Sequence, residues 1–361
     1  MSMPGETMSK VLDDCNNCSI TPLDDNDLLQ EILVRLPLKP PSLPHASLVC
    51  KRWYNILSHP QFHRRLRQHH GKPPLLGFFK MITGNDFTPI LDSIPAKRFA
   101  APKSSRPFDH WDFLDCRHGL AVLIHQVILI NQLGREVVVW DPLTGHQRSL
   151  CFPSGLHSAE RNPSNVWHAA VWCADAEGGH VHGDGFSRPF KVVLICSVHK
   201  HTFACLYDSR SGVWGNITST PTTDNVTLLR SSILIENTVC WLLFGGDILA
   251  FDIERQTLGV IEKPADARHT DCYSFQLWQT CDDSCLGLAV MSKIGIQLWK
   301  RISALYDVEW VLQHETIQLE GLFPQEMHSD LEMVKMVGYD EDSNSIVLGR
   351  LLGSKLLDQK L

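Results

Sequence analysis

The chain has 361 residues, enough for about two domains with sizeable hydrophobic cores. Hydrophobic residues make up 43% of it and charged residues 20%, which excludes a disordered chain, a collagen-like repeat and a coiled coil. The formal net charge of -7 at pH 7 argues against binding of nucleic acid, or of an anionic membrane, through a broad basic face. We therefore expect neither as a partner.

Targeting signals are not evident in the sequence. The longest apolar stretch, residues 119–130, is interrupted by His125 and Gln126 and is shorter than the roughly 20 residues of a membrane-spanning helix. It predicts two strands joined by a turn. Residues 1–20 have no continuous apolar core and predict a disordered tail rather than a secretory signal. The 12 cysteines are too dilute for a disulfide scaffold, so we expect a cytoplasmic or nuclear protein. Cysteines inside apolar runs are expected to be buried like small hydrophobic residues, as at Cys50, Cys196 and Cys240.

Residues 22 to about 70 carry the pattern of amphipathic helices. Apolar residues recur there at spacings of one, three and four, at Leu28, Leu29, Ile32, Leu33 and Leu36. Asp25 and Asp27 stand where carboxylates can cap a helix start, and Pro37 ends the helix before a second helical run at 46–57. So small a module cannot bury all of its apolar side chains internally. We expect a second buried surface, either against another protein or against the rest of the chain.

Two strings in this segment resemble the F-box. Residues 22–37 read PLDDNDLLQEILVRLP and residues 43–53 read LPHASLVCKRW, similar to the family's Ile-Leu before Leu-Pro and its closing Val-Cys-Lys-x-Trp. The opening Pro-Leu departs from the family's commoner Leu-Pro. The resemblance implies a three-helix module that docks onto the Skp-family adaptor of a cullin-based ubiquitin ligase. Carried over position by position, it implies an adaptor-binding surface made of Pro22, Leu23, Leu28, Ile32, Leu36, Pro37, Leu43, Val49, Cys50 and Trp53.

From about residue 73 the chain changes to short apolar strands separated by turns. One unit recurs: an apolar strand that ends in an aromatic residue, followed by an aspartate and a polar turn. Its copies centre on Trp140–Asp141, Tyr207–Asp208 and Phe251–Asp252, with weaker copies at Trp299–Lys300 and Tyr339–Asp340. We expect the aromatic side chain to pack between sheets and the aspartate to hold a hairpin turn. Intervals of roughly 40 to 50 residues are typical of the four-stranded blades of a β-propeller.

The order of these units resembles the F-box-associated β-propeller, kelch-like in outline, of a large family of plant F-box proteins. The strings DCRHGLAVL at 115–123 and VWDPLTG at 139–145 carry much of the resemblance. The expected fold class is multidomain, α plus all-β: a three-helix F-box followed by a propeller, for which blades of roughly 45 to 50 residues suggest six. The apolar pattern breaks after residue 348, which predicts altered or incomplete closure of the ring. The predicted domains are a disordered tail (1–20), the F-box module (21–62), a linker helix (63–72) and the propeller (73–361).

No residue pattern predicts catalysis, a cofactor or a metal centre. Cys15 and Cys18 have the spacing of half a zinc site, but no second pair follows at the usual distance. His180 and His182 lie among glycines, which favours a surface loop over a metal site. The basic run at 63–70 favours a solvated helix face over a phosphate-binding patch. Four further residues favour loop or core positions over metal binding: His269, Cys272, Cys281 and Cys285.

The two resemblances together imply a non-catalytic substrate-recognition subunit of a Skp/cullin/F-box ubiquitin ligase. The F-box would dock to the Skp-family adaptor and through it to a cullin. Propeller loops would bind a target protein, which the sequence does not identify, and ubiquitin transfer would follow from proximity. The alternative is a scaffold or regulatory protein outside a ligase, whose F-box-like helices pack in cis or bind the adaptor alone. A third class, a propeller enzyme with acidic residues in its central channel, has no specific support in the residues.

Overall fold

The chain forms two compact units, residues 1–74 and residues 75–361. The computed structural model describes residues 23, 25–37, 42–70, 76–79, 87–89, 96–99, 110–129, 132–156, 159, 162, 164–174, 186, 188–267, 274–280, 285–293, 295–303, 308–313, 316–323, 334–341, 344–350 and 356–357.

Helices build the described part of the first unit: α1 (Asn26–Val34), α2 (Ser42–Ser47), α3 (Lys51–Leu57) and α4 (Pro60–His70). The predicted cap of α1 is confirmed, because the Asp25 carboxylate accepts hydrogen bonds from the backbone amides of Asp27 and Leu28 at 2.7 and 3.3 Å. A single cluster of buried side chains joins the helices, made of Leu29, Leu33, Val34, Ala46, Leu57, Phe62 and Leu66.

The predicted linker helix corresponds, in its described part, to the end of α4, and α4 packs on α1. Phe62 and Leu66 of α4 belong to the buried cluster. Arg65 donates a hydrogen bond to the Gln30 side-chain oxygen at 3.2 Å and also pairs with Glu31 of α1. The basic run therefore has an apolar face that contributes to the core of the helical unit.

Antiparallel strands build the second unit. Among its described residues they form one sheet of two strands and five sheets of three to five strands. The two-stranded sheet pairs β1 (Gly77–Phe79) with β2 (Phe87–Pro89). The first larger sheet contains β3 (His110–Arg117), β4 (Leu120–Leu129), β5 (Gln132–Trp140) and β6 (Gln147–Leu150). The second contains β7 (Val166–Cys173), β8 (Phe190–Val198), β9 (His201–Asp208), β10 (Val213–Trp214) and β11 (Thr218–Pro221).

The remaining sheets follow in chain order. The third contains β12 (Ile233–Ile235), β13 (Thr238–Leu242), β14 (Ile248–Asp252) and β15 (Thr257–Ile261). The fourth contains β16 (Phe275–Gln279), β17 (Leu286–Met291), β18 (Gly295–Ser303), β19 (Val308–Leu312) and β20 (Ile317–Gln318), after which the short helix α5 (Leu319–Leu322) follows. The fifth contains β21 (Val334–Asp340), β22 (Ser345–Arg350) and β23 (Leu356–Leu357). Strands that follow one another in the chain pair within each sheet, as expected of propeller blades, except that β11 pairs with β9 and β20 pairs with β18. The count of six blades stays a prediction.

Successive sheets pack face to face through separate apolar layers. Val171 of β7 lies in the layer shared with the first sheet, whereas its neighbours Ala170 and Trp172 lie in the layer shared with the third. Further layers join the third sheet to the fourth and the fourth to the fifth. Because both faces of these strands are buried, their sequences are continuous apolar runs rather than alternating ones.

The three strong copies of the repeated unit form equivalent turns. Each aspartate follows or ends the third strand of its sheet, and its side chain accepts backbone amides of the next turn, at 2.9 Å from Leu143 in the first copy and 2.8 Å from Arg210 in the second. The preceding aromatic residues are buried, which confirms their predicted packing. Four residues after each aspartate the backbone is left-handed, at Gly145 (φ 78), Gly212 (φ 73) and Gln256 (φ 51).

Two sequence expectations were wrong in this unit. Residues 120–129 form one strand rather than two strands and a turn, because β4 pairs with β5 through His125 and Gln126 without interruption. The weaker repeat copies are not equivalent to the strong ones: β18 continues past Lys300 to Ser303, and Tyr339–Asp340 ends the first strand of its sheet. Hydrogen bonds between paired strands satisfy the backbone amides whatever the side chains are. Polar residues such as His125 and Gln126 therefore did not indicate a turn.

Candidate protein-docking surfaces

The predicted adaptor-binding residues lie mainly on the outside of the helical unit. Leu23, Leu28, Ile32, Pro37, Val49 and Cys50 are exposed. Leu36, Leu43 and Trp53 are half-buried against the helical core. Pro22 lies outside the described residues. The assignment of these ten residues to an adaptor stays a prediction, but their placement separates those that can contact a partner from those that also hold the helices together.

Helix α1 carries two apolar stripes. Leu29 and Leu33 face the core and are fully buried, whereas Leu28 and Ile32, also one turn apart, remain 49% and 42% exposed. A helix of a small soluble unit normally buries one apolar stripe and exposes polar residues elsewhere. The outer stripe of α1 is therefore available for a contact that the helical unit does not itself supply.

The start of α3 lies against the start of α1. Arg52 donates hydrogen bonds to the Asn26 side chain at 2.8 Å and to the Leu23 carbonyl at 2.7 Å. Val49 and Cys50 immediately precede α3, so these contacts hold them beside the beginning of α1. The two halves of the predicted motif, which lie more than 20 residues apart in the chain, are thus joined by hydrogen bonds.

Sequence reasoning missed two exposed apolar residues, Leu48 and Tyr54, which are 80% and 57% exposed. For Leu48 the available signal was the apolar run of residues 48–50, which is longer than one helical stripe needs; Tyr54 lies beyond that run. Together with four of the predicted residues they form what we call the docking surface: Leu23, Leu28, Ile32, Leu48, Val49 and Tyr54.

The expectation that Cys50 is buried was wrong. Cys50 is the N-cap residue of α3, and its backbone is extended (φ -163, ψ 168). It stands before the helix rather than on its inner face, and its thiol is exposed. Cys196 and Cys240 are buried as expected, and desolvation raises the pKa of each thiol to about 12. These two thiols are structural rather than nucleophilic.

A buried charged cluster joins three sheets of the second unit. Arg117 of β3 forms two hydrogen bonds to the Glu341 carboxylate after β21, at 2.7 and 2.6 Å. The same guanidinium contacts Asp115 at 3.2 Å and the Ser232 carbonyl before β12 at 2.8 Å. The first, third and fifth sheets therefore meet here, at or beside their first strands, as expected near the axis of a propeller. We call this group the axial cluster: Asp115, Arg117, Ser232 and Glu341.

Burial and charge pairing act in opposite directions on the ionisable groups of the axial cluster. Desolvation raises the pKa of Asp115 to about 6, against the lowering effect of Arg117. Burial alone would lower the pKa of Arg117, but Glu341 and Asp115 together raise it above its ordinary value. Asp115 Oδ2 accepts further hydrogen bonds from the Ser232 hydroxyl at 3.1 Å and the Val171 amide at 3.4 Å. Because the charged groups of the cluster hydrogen-bond to one another and to backbone groups, the cluster fits a structural role.

His168 of β7 bridges neighbouring sheets in the same region. Its Nε2 lies 3.1 Å from the Arg230 carbonyl, and its Nδ1 lies close to the backbone of Ala169. Burial lowers the pKa of His168 to about 4, so the ring is neutral near pH 7.

The described residues contain no group of three or more metal-ligating side chains that could hold an ion. Most of the cysteine and histidine candidates weighed from the sequence lie outside the described residues; Cys285 is described and half-buried. Among the helices that the structure describes, none is long and apolar enough to cross a membrane.

Comparison with known proteins gives a consistent result for both units. A family model described as F-box-like matches residues 26–69. A second model, described as "F-box protein AT5G49610-like, beta-propeller", matches residues 112–350, which is more than half of the chain. F-box domains in general bind Skp-family adaptors, and F-box proteins with a β-propeller are in general non-catalytic substrate adaptors.

Among individual relatives, F-box protein At5g07610 of Arabidopsis thaliana is 24% identical over 259 residues. The match covers 69% of this chain and 58% of that protein. Solved structures are more distant. A xylan beta-1,4-xylosidase from Bacillus halodurans C-125 gives a TM-score of 0.32 at 12% identity, covering 67% of this chain and 50% of that one. A prolyl endopeptidase gives 0.28 at 8% identity, covering 70% and 35%. These two likenesses carry no argument about function.

The order of an F-box-like helical unit and a sheet-rich unit, the repeated aromatic–aspartate turns and the two family matches agree with one another. The chain belongs to the F-box proteins with an AT5G49610-like β-propeller.

Proposed function

We propose that this chain is the substrate-recognition subunit of a Skp/cullin/F-box ubiquitin ligase. The F-box unit docks to the Skp-family adaptor through the docking surface, and loops of the propeller bind a target protein. The observation that carries the proposal is the outer apolar stripe of α1 beside Leu48 and Val49, on the segment that matches the F-box model. Burial of such a stripe on binding supplies the largest favourable term in protein association.

In this role the chain performs no bond chemistry. It holds the target at high effective concentration beside a ubiquitin-carrying enzyme that other subunits recruit. A rigid propeller suits this purpose, because its loops can vary in sequence while the apolar layers between the sheets keep their positions. We expect the protein to act in the cytoplasm or nucleus.

Adaptor binding by purified full-length protein tests the proposal. Ile32→Asp and Val49→Asp place a charge on residues that are 42% and 61% exposed, so the helical core should stay intact. Each should weaken binding to the purified Skp-family adaptor at least 100-fold, because a charge would be buried in an apolar contact. Biolayer interferometry measures the affinity, and circular dichroism checks the fold.

Val311→Asp is the matched control, since this residue is 42% exposed and lies on β19 of the second unit. It should leave adaptor binding unchanged. The half-buried Leu36 and Trp53 are poorer choices, because they also contact the helical core. If both F-box variants are folded and bind the adaptor as the wild type does, the proposed docking is wrong.

A further inference from the structure

A cleft opens between the second and third sheets of the propeller unit. Its volume is about 470 Å³, within the range of roughly 300 to 1,000 Å³ that ligand pockets occupy. The β9–β10 turn supplies Ser211, and the β14–β15 turn supplies Glu254 and Gln256. These are the turns of two successive copies of the repeated aromatic–aspartate unit. The walls are therefore the same structural element presented twice.

One wall is a row of side chains on a single sheet face. Val213 pairs with Asp208, and Asp208 pairs with Lys191, in direct register across three strands. Val213 is 61% exposed, while the neighbouring Leu206 is nearly buried and gives the cleft an apolar floor. The wall thus offers an apolar contact next to charged groups.

The charged side chains of the cleft form no ion pairs with one another. Within the part of the chain that the structure describes, Lys191, Asp208 and Glu254 form no ion pair. The nearby Arg255 does not neutralise Glu254, because its guanidinium pairs with Asp252 at 2.9 Å. Two carboxylates and one ammonium group therefore line the cleft, so it has a surplus of negative charge.

Hydrogen bonds hold the walls in place. The Asp208 carboxylate accepts the Arg210 amide at 2.8 Å, and the Gly212 amide bonds back to the Asp208 carbonyl at 2.8 Å. In the third sheet, the Ile253 amide bonds to the Asn237 carbonyl at 2.8 Å. Because the turns are already ordered, a ligand loses less affinity to the ordering of loops.

We propose that this cleft binds an extended segment of the target protein that carries one basic side chain next to an apolar residue. The Lys or Arg of the segment lies between Asp208 and Glu254, and the apolar residue contacts Val213. Side chains of Asn237 and Gln256 can hydrogen-bond the backbone of the segment, whereas the Ser211 hydroxyl donates to the Asp208 carbonyl within its own turn. Lys191 disfavours a second basic residue. The inference rests on the proposed function, since it names the chemistry of the target that the receptor recognises.

The probe is a phage-displayed library of random 12-residue peptides, selected on the full-length chain at low salt. We expect enriched sequences that contain one Lys or Arg beside an apolar residue. A synthetic peptide of the enriched sequence is then titrated by fluorescence anisotropy. The double variant, Asp208→Asn with Glu254→Gln, should weaken peptide binding at least ten-fold. Glu254→Gln alone should weaken it by a smaller factor. Asn can still accept the Arg210 amide, so the turn is retained.

The matched control is Glu262→Gln with Asp266→Asn, which removes the same charge from two exposed residues outside the cleft. It should change peptide binding less than two-fold. The cleft proposal is overturned if no sequence is enriched or if the enriched sequences lack a basic residue. It is also overturned if the cleft variant binds the peptide as tightly as the wild type does. Adaptor binding is measured on the same preparations. If the wild-type chain binds the peptide but not the adaptor, the ligase role alone is refuted. If it binds the adaptor but not the peptide, the cleft proposal alone is refuted.

Discussion

The axial cluster gives the sharpest test of how the propeller unit is held together. Replacing Arg117 with Met keeps most of the side-chain volume but removes the hydrogen bonds to Glu341, Asp115 and Ser232. The side chains of Arg117 and Asp115 are only 4% and 1% exposed, so the change leaves a buried carboxylate without its counter-charge. Breaking a buried pair in this way costs about 3 to 5 kcal/mol.

The pH dependence of this loss follows from Asp115. Its folded pKa of about 6 is above the unfolded value of about 4, so the folded chain holds a proton that the unfolded chain releases in that window. The contribution of this group to stability is full below about pH 4 and is lost as the pH rises through 6. Without Arg117 the pKa should rise further. The variant should therefore lose more stability at pH 8 than at pH 5, by about 1.4 kcal/mol for each unit by which the pKa of Asp115 rises.

Urea unfolding followed by tryptophan fluorescence measures the effect, because all of the 10 tryptophans except Trp53 lie in the second unit. Arg255→Met is the control, since it breaks an ion pair whose arginine side chain is 77% exposed. It should shift the midpoint far less. If Arg117→Met shifts the midpoint no more than this control does, or by the same amount at pH 5 and pH 8, the assigned role of the axial cluster is wrong.

Three other substitutions test the described contacts. Trp241→Ala, at a fully buried residue between the second and third sheets, should lower the free energy of unfolding by about 3 to 5 kcal/mol in the same urea assay; a loss under about 1 kcal/mol would contradict the packing described. His168→Gln should flatten the pH dependence of the free energy of unfolding relative to wild type. The folded pKa of about 4 is below the unfolded value of about 6.5, so this histidine contributes stability above pH 6.5 that is lost as the pH falls through 4. An unchanged slope would argue against its burial as a neutral ring. Asp25→Ala should destabilise α1 by about 1 kcal/mol, seen as faster amide exchange of Asp27 and Leu28, with Asp25→Asn as the control that keeps the cap.

Much of the helical unit could be predicted from the sequence. The helical spacing of Leu29 and Leu33 and the cap at Asp25 are local features, because they depend on residues within one or two turns of the same helix. The period alone did not distinguish Leu28 and Ile32, on the outer stripe, from the core residues beside them. The distinction requires knowing where α4 packs, and α4 packs through Phe62 and Leu66 on the opposite side of α1.

In the second unit the sequence determined the elements that repeat locally. An aspartate whose carboxylate caps the turn after an aromatic strand end is a short-range arrangement, so Trp140–Asp141, Tyr207–Asp208 and Phe251–Asp252 could be read directly. The same reading failed at Lys300 and in the middle of β4. There, pairing with neighbouring strands determined the backbone conformation, and the strands continue through the polar residues without a break in pairing.

Only the tertiary structure decided which distant residues meet. Nothing in the sequence links Arg117 to Glu341, more than 200 residues away, because their contact arises where separate sheets meet at or beside their first strands. The cleft between Asp208 and Glu254 is formed in the same way, by two repeats that become neighbours on packing. The sequence by itself thus determined the family, the order of the units and the local turns. The contacts between distant sheets and those that shape the candidate binding cleft depend on long-range packing, which no local pattern encodes.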